Sequence, residues 1–307
     1  MPIWPKRQPE VARLSAALRR FAATKRSLPG LAGSAELQAL VMQMIASQRR
    51  LDYSRLMLVR ALEPARTDPS SDMFDPERAA VIHSFAGRTD EAAWLLFLAV
   101  HFGKHPVAGW SMVQDIYSGL GDGMWTWDRV SRSPARFRAW LNRRRADIRG
   151  SFGNHRKYES LNDGTNGTAT VVESYLKWVG GAGSHGGLFG RLIREGGNDP
   201  HTIFDRFYQD MRVARFGRLG KFDFLCLLGR LGLAPIEPGS AYLRGATGPL
   251  RGARLLFGGT PDAPIGADTL EDWLRDVDQE LNVGMQVMED SLCNWQKSPA
   301  QFVHFKG

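Results

Sequence analysis

The sequence predicts an all-α protein with two helical lobes. Apolar residues recur at three- and four-residue intervals along most of the chain, which is the period of an amphipathic helix. Sustained alternation of apolar and polar residues does not occur, so little or no sheet is expected. A chain of 307 residues, 43% of them hydrophobic, is near the upper size for one core. We therefore expect two lobes, residues 1–165 and 166–307, joined at the loop NDGTNGT.

The first lobe begins with an expected pair of helices. Apolar residues keep helical spacing over residues 37–45 and again over residues 56–62. A join near Leu51 would connect the two helices, and the polar run Thr67 to Asp72 would end the pair.

A third helix, at residues 89–102, is expected to lie at the centre of the fold. Thr89 is a suitable N-cap, and Asp90 and Glu91 place negative charge in the first turn, where the helix dipole favours it. The residues that follow are apolar on nearly all sides, which is typical of a buried helix.

The charge balance favours a polyanionic partner. Lys and Arg number 40 against 32 Asp and Glu, a formal charge of +8. Residues 129–157 carry ten of these cations against Asp147 alone. Arginine dominates the stretch, and its guanidinium forms paired hydrogen bonds with phosphates, which favours nucleic acid.

Helical periodicity resumes at residue 170 and continues to the C-terminal region. The helices expected there span roughly residues 170–179, 186–195, 201–215, 221–231, 249–257, 269–282 and 285–295.

A glycine-rich turn, GRLGK, opens one of these helices. Such a turn can expose backbone N–H groups at the helix N-terminus to a phosphate, and Arg218, Gly220 and Lys221 would make that contact. This is how a helix-hairpin-helix element holds the DNA backbone. A plain turn between helices is the alternative.

Several classes of site are not expected. Cys226 and Cys293 are far apart and lack metal-ligand spacing, so neither a disulfide nor a zinc site is predicted. The longest apolar stretch, residues 94–100, is too short to cross a bilayer, and no GxxxxGK[ST] motif occurs. We expect a cytoplasmic monomer that needs no metal and no cofactor.

Five segments carry a family resemblance: TDEAAWLLFLAVHFG, FGNHRKYE, FGRLGKFDFLCLLGRLGL, GATGPLRGARLLF and EDSLCNWQKS. Together they resemble the alpha-glutamyl/putrescinyl thymine pyrophosphorylase family. The resemblance implies a helical fold of the helix-hairpin-helix DNA glycosylase superfamily and a role on hypermodified pyrimidines in phage DNA. Some relatives resemble transferases that build such bases, and others resemble glycosylases that remove them in anti-phage defence.

Two further positions match glycosylase motifs in part. The segment MIASQRR places Gln48 where those enzymes have a Gln that enters the space left by a flipped base. The segment IEPGSAYL places Glu237 near the position of their catalytic Asp. Bifunctional members have a Lys where this chain has Phe222, so lyase activity is not expected.

A monofunctional glycosylase needs a carboxylate to stabilise the developing sugar cation and to activate water. Glu237, Asp223, Asp90 and Glu91 are the four candidates. The alternatives are that Asp90 and Glu91 only favour a helix N-terminus and that Glu237 is a solvated loop acid.

Two other segments are candidates for DNA and base contacts. In NHRKYE, the cations His155, Arg156 and Lys157 would bind phosphates and Tyr158 would stack on a base. In EDSLCNWQKS, one helix face would line a pocket with Asp290, Asn294 and Lys297. The alternatives are a solvated charged face and a C-terminal helix with surface ion pairs.

Three functions remain open on the sequence. The first is a monofunctional DNA glycosylase that flips a modified pyrimidine out of double-stranded DNA and leaves an abasic site. The second is a transferase that displaces pyrophosphate from an activated hydroxymethyl-pyrimidine with an amine or amino acid. The third is a DNA-binding protein without catalysis.

Overall fold

The computed structural model describes residues 3–181 and 183–304, with the backbone alone at residue 154. This part of the chain contains no β-strand, which confirms the all-α prediction. Its α-helices are α1 (Gln8–Thr24), α2 (Ser34–Val59), α3 (Pro76–Phe85), α4 (Thr89–Phe102), α5 (Ser111–Ser118), α6 (Trp127–Arg132), α7 (Pro134–Arg144), α8 (Thr168–Gly180), α9 (His185–Gly196), α10 (Pro200–Asp210), α11 (Arg218–Arg230), α12 (Gly248–Gly258), α13 (Ala267–Leu281) and α14 (Met285–Trp295).

The predicted pair of helices near the N-terminus is wrong. A single helix, α2, runs through the expected join at Leu51. No Gly or Pro occurs between its ends, so no residue interrupts the backbone hydrogen bonds. The apolar stripe changes face along the helix. In the sequence this change has the same pattern as the end of one helix and the start of another.

The chain divides into two compact units, and the first is built from two separate stretches of the chain. Among the described residues it comprises 3–53 and 238–304, so α1, most of α2 and α12–α14 build one core. Helix α12 packs closely on α14, because Gly252 lies where any Cβ would collide with the carbonyl oxygen of Leu292. Trp295 is fully buried in this core.

The second unit comprises residues 54–237 and is built around α4. Helix α4 packs against α3, α9 and α11, and ten of its residues are buried, which agrees with the predicted central helix. Within this core the Nε1 of Trp94 donates to the carbonyl oxygen of Trp125 at 2.8 Å. The expected lobe boundary near residue 165 falls inside this unit, before α8, and stays a prediction.

The C-terminal end of α4 positions the segment that carries His155 and Arg156. Helix α4 ends at Phe102, and its C-cap residue Gly103 has a positive φ of 68°. The N–H of Gly153 donates to the carbonyl oxygen of Phe102 at 2.8 Å, and the two glycines lie in direct contact. Side chains larger than hydrogen would separate these backbones, so the glycines fix the segment against the helix end.

Helices α10 and α11 form a hairpin joined by residues 211–217. Helix α10 packs on α11, and α11 packs on α4. The expected helix at residues 201–215 ends earlier, at Asp210, because the chain is extended at Met211. That this hairpin is a helix-hairpin-helix element stays a prediction.

Candidate active site

The start of α11 is open to an anion. Its N-cap residue is Gly217, which has no side chain to cap the N–H groups of the first turn. The first turn of a helix carries partial positive charge, so these groups attract a negative ligand. Arg218, Gly220 and Lys221 all belong to this turn or follow it directly.

Arg156 lies against this first turn. A Cβ on Gly220 would be 2.9 Å from Nη2 of Arg156 and 3.0 Å from Nη1. The Nε of Arg156 donates to the carbonyl oxygen of Val100 at 2.9 Å, and its guanidinium lies 4.9 Å from the ring centre of Phe216. Only the absence of a side chain at Gly220 permits this approach.

Arg156 is therefore a buried cation with unused hydrogen-bonding capacity. Its exposed fraction is 6%, and Nη2 has no hydrogen-bond partner within the described part of the chain. Burial lowers its pKa, while the nearby Asp223 raises it in part. A buried donor without a partner is costly, so this atom is suited to a ligand.

Asp223 is the half-buried carboxylate of this site. It lies one turn into α11, and burial raises the pKa of its carboxyl. Arg156 opposes that rise most, followed by His155, Arg218 and Arg230. The structure thus brings together Asp223 and three of the cations that the sequence suggested for DNA binding.

A second carboxylate, Glu77, belongs to the same neighbourhood and was not predicted. It lies in the first turn of α3, where burial raises its pKa and Arg230 opposes the rise. Asp75 raises the pKa further, and Lys104 lowers it. Both carboxyls thus interact with Arg230. The sequence offered only a first-turn acid after Asp75 and Pro76, which is ordinary at any helix start.

The segment with Tyr158 is held to the hairpin loop by Arg215. Arg215 has a positive φ of 63°, which is strained for a residue other than glycine. Its side chain pairs with Glu159 at 3.2 Å and donates to the carbonyl oxygen of Tyr158 at 3.1 Å. Tyr158 itself is 78% exposed, and Nζ of Lys157 lies 5.0 Å from its ring centre.

A groove of 890 Å³ lies along the hairpin loop. Lys221 lines it, donates to the carbonyl oxygen of Tyr208 at 3.2 Å and lies 5.2 Å from that ring. Burial lowers the pKa of Lys221, and Arg212 adds to the effect. The groove is lined by Ser174, Lys177, Trp178, Tyr208, Asp210, Arg212, Val213, Ala214, Phe216, Gly217, Arg218 and Lys221.

Asp90 and Glu91 join helices of the second unit. Asp90 accepts from the backbone N–H of His185 at 2.7 Å and lies 2.8 Å from its Nδ1. The hydrogen bond with His185 lowers the pKa of Asp90. Glu91 accepts from the hydroxyl of Tyr117 at 2.5 Å and from the N–H of Trp127 at 2.9 Å, while burial raises its pKa.

Glu237 is exposed and lies at the far end of α10 from the hairpin loop. Its backbone N–H donates to the carbonyl oxygen of Pro200 at 3.3 Å, and its own carbonyl lies 3.0 Å from Nδ1 of His201. An eleven-residue helix is about 16 Å long, so these contacts separate Glu237 from Gly220.

The remaining predicted residues belong to the first unit. The Nε2 of Gln48 lies 3.5 Å from Oε1 of Glu10, and its own Oε1 is buried without a partner among the described residues. Asp290 pairs with Arg50 and accepts from Asn294 at 3.0 Å, and Lys297 donates to Asn294 at 3.0 Å. Arg50, Asp290, Asn294 and Lys297 thus form one connected polar chain.

Other ligand types find no obvious site. Within residues 3–181 and 183–304, no three His, Cys, Asp or Glu side chains are grouped as a metal site would require. Cys226 is buried and Cys293 half-buried, and neither forms a disulfide within the described residues. In the same part of the chain no helix is long and apolar enough to cross a membrane.

The fold is all-α, and cations surround a carboxylate in the first turns of one helix. Such a site is compatible with an enzyme that acts on nucleotides. The family model of alpha-glutamyl/putrescinyl thymine pyrophosphorylase clade 3 matches residues 35–307, and the chain belongs to that family. The name of the family denotes an enzyme that acts on modified thymine. No curated protein and no solved structure matches the chain.

Proposed function

We propose that this protein is a monofunctional DNA glycosylase that removes a hypermodified pyrimidine from phage DNA as an anti-phage defence. The observation that carries the proposal is Asp223, a half-buried carboxylate beside the open start of α11 and the buried Arg156. A negative charge held away from water is what stabilises a developing sugar cation. The neighbouring helix start and the exposed Lys157 would hold the phosphates.

In this proposal the target base leaves the stack, because its glycosidic carbon is inaccessible within the duplex. The bond between the sugar C1′ and the base nitrogen breaks, and a water oxygen bonds to C1′. Asp223 stabilises the positive charge and takes a proton from that water, while the departing base takes a proton from solvent. The products are the free base and an abasic site.

The surroundings of Asp223 separate it from the other three candidate carboxylates. Asp90 and Glu91 form hydrogen bonds with His185 and Tyr117, which lie on other helices. Glu237 is exposed at the opposite end of α10. Of the four candidates, only Asp223 combines burial with several nearby cations. We therefore assign it the catalytic role.

A transferase is the second candidate, and the cations favour it. Arg156, His155 and Arg218 around one carboxylate also suit a pyrophosphate leaving group. In that reaction an amine displaces pyrophosphate from the exocyclic methylene of the base, and the glycosidic bond stays intact.

The deciding experiment follows the base, the sugar and the phosphate together. Purified protein is incubated with duplexes that contain α-putrescinylthymine, α-glutamylthymine or thymine, and mass spectrometry measures released bases and abasic sites. We expect release of a modified base only, and Asp223→Asn should lower its rate by about two orders of magnitude or more. Asp128→Asn, on the exposed face of α6, is the matched control.

A parallel reaction contains pyrophosphorylated 5-hydroxymethyluracil DNA and putrescine. Pyrophosphate release with an intact glycosidic bond would replace the glycosylase with the transferase. If Asp223→Asn folds, binds DNA and releases base at the parental rate, the role of Asp223 is wrong.

A further inference from the structure

A tight turn at residues 105–109 follows α4 directly. His105 and Gly109 exchange two backbone hydrogen bonds, of 3.0 and 2.9 Å. The Nδ1 of His105 also accepts from the N–H groups of Val107 at 3.2 Å and Ala108 at 3.0 Å. Four hydrogen bonds within five residues hold this turn in one conformation.

Val107 stands at the tip of the turn. It is 92% exposed, more than any other large hydrophobic residue of the described chain. Pro106 and Ala108 flank it, so the tip presents three apolar residues and no polar side chain. A valine has few rotamers, so ordering its side chain against a ligand costs little entropy.

The turn is supported from behind. A Cβ on Gly150 would lie 3.5 Å from the Cβ of Ala108, which places that backbone directly against the turn. Arg149, the preceding residue, pairs with the buried Asp115 of α5 at 2.6 Å. The tip can therefore press against a ligand without folding back.

The base of the turn is part of the candidate active site. Gly103 contacts Gly153. A Cβ added to Gly103 would lie 3.6 Å from Cγ of Arg156. Lys104 acts electrostatically on Glu77. The turn thus extends outward from the elements that carry Arg156 and Glu77.

We propose that Val107 is the wedge that enters the base stack when the target nucleotide leaves it. The proposal rests on the glycosylase function, because a flipped base leaves a gap that must be filled. Proteins that unstack DNA insert apolar side chains between base steps, and a fixed, fully exposed valine beside the site meets that requirement. Lys157 would hold the flanking phosphates.

The test separates duplex from single-stranded substrate. One oligonucleotide carries α-putrescinylthymine with 2-aminopurine immediately on its 3′ side, so that fluorescence reports unstacking. It is used alone and paired with its complement. We expect Val107→Ser to lower both the fluorescence rise and base release on the duplex by about tenfold or more, since unstacking costs a few kcal/mol. Release from the single strand should change less than about twofold.

Two further variants control for side-chain type and place. Val107→Leu should retain the duplex activity, because it keeps an apolar wedge. Val59→Ser removes another exposed valine, 78% exposed at the end of α2, and should change nothing.

The outcomes are distinct for the wedge and for the glycosylase. The inference is overturned if Val107→Ser acts on the duplex like the parent, if it loses single-strand activity equally, or if the parent leaves 2-aminopurine stacked. A parent that unstacks 2-aminopurine but releases no base contradicts the proposed function and leaves the wedge supported.

Discussion

At the scale of single residues, Asp223 should reduce the stability of the fold. Burial raises its pKa, so the folded state binds the proton more tightly than the unfolded chain does. Stability from this carboxyl is present at low pH and is lost as the pH rises from about 4 through the higher folded-state pKa. Asp223→Asn should therefore raise Tm at pH 8 and change it little at pH 3.5.

Thermal unfolding followed by circular dichroism checks this difference. Asp128→Asn, at an exposed carboxylate, should leave Tm within about 1 °C at both pH values. An Asp223→Asn protein that melts at or below the parental Tm at pH 8 would show that the carboxylate stabilises the fold.

The guanidinium of Arg156 should control the acid limit of activity. It opposes the effect of burial on the pKa of Asp223, so Arg156→Met should raise that pKa further. As the pH is lowered, the rate of base release should then begin to fall at a higher pH than in the parent. Arg156→Lys keeps a cation and should shift this pH less, and Lys157→Met should not shift it. An unchanged pH dependence in folded Arg156→Met would contradict the coupling.

Sequence reasoning reached Asp223 and Arg156 but not their relation. Helical periodicity does not indicate which distant residues will surround a carboxylate, and Arg156 lies 67 positions before Asp223. Similarly, the partner of Asp90 is His185, 95 positions away. Glu77 gave no signal at all, because first-turn acids are common and only tertiary packing buries this one.

At the scale of elements, the contact between the α10–α11 hairpin and Arg156 depends on one glycine. Gly220→Ala places a Cβ within 3.0 Å of the guanidinium, which must then move. We expect the affinity for a duplex to fall about tenfold, as when one charge-assisted hydrogen bond is lost. Fluorescence anisotropy measures this change.

Gly217→Ala is the matched control. It lies three residues earlier at the N-cap, with a negative φ of −69° and no atom within 4 Å of the added Cβ. Its affinity should stay within about twofold of the parent. Equal affinities in both variants would show that the position of Arg156 does not affect DNA binding.

The contact between α4 and α9 should stabilise the fold without taking part in catalysis. Asp90→Asn weakens two hydrogen bonds to His185, and we expect a loss of about 1–3 kcal/mol in urea unfolding. Base release per folded molecule should stay close to the parental rate. A folded Asp90→Asn protein that releases no base would instead make Asp90 a catalytic candidate again.

At the scale of the whole molecule, the net charge of +8 should dominate DNA affinity. Binding releases counterions from the phosphates, so the logarithm of affinity should fall linearly with the logarithm of salt concentration. Lys157→Glu should weaken binding to all sequences alike and reduce the slope by about one. Salt-insensitive affinity would remove the electrostatic basis of the interface.

The all-α class could be predicted because periodicity is local, and so could the central helix α4, since ten of its fourteen residues are buried. Which residues build the first unit could not be predicted. Residues 238–304 pack with residues near the N-terminus, and no local pattern reports an association across almost two hundred positions. Residue 165, where the loop composition suggested a boundary, lies inside the second unit.

The split first unit has a consequence for synthesis on the ribosome. Leu14, Leu18 and Phe21 of α1 are buried in a core that also needs Leu274 and Leu281 of α13. At typical translation rates roughly 10 to 50 s separate the emergence of these two parts. During that interval residues 54–237 can form their own core. The apolar face of α1 stays exposed to solvent until α13 has been synthesised. The nascent chain should therefore need a chaperone at its first helix, although Leu14, Leu18 and Phe21 are buried in the finished protein.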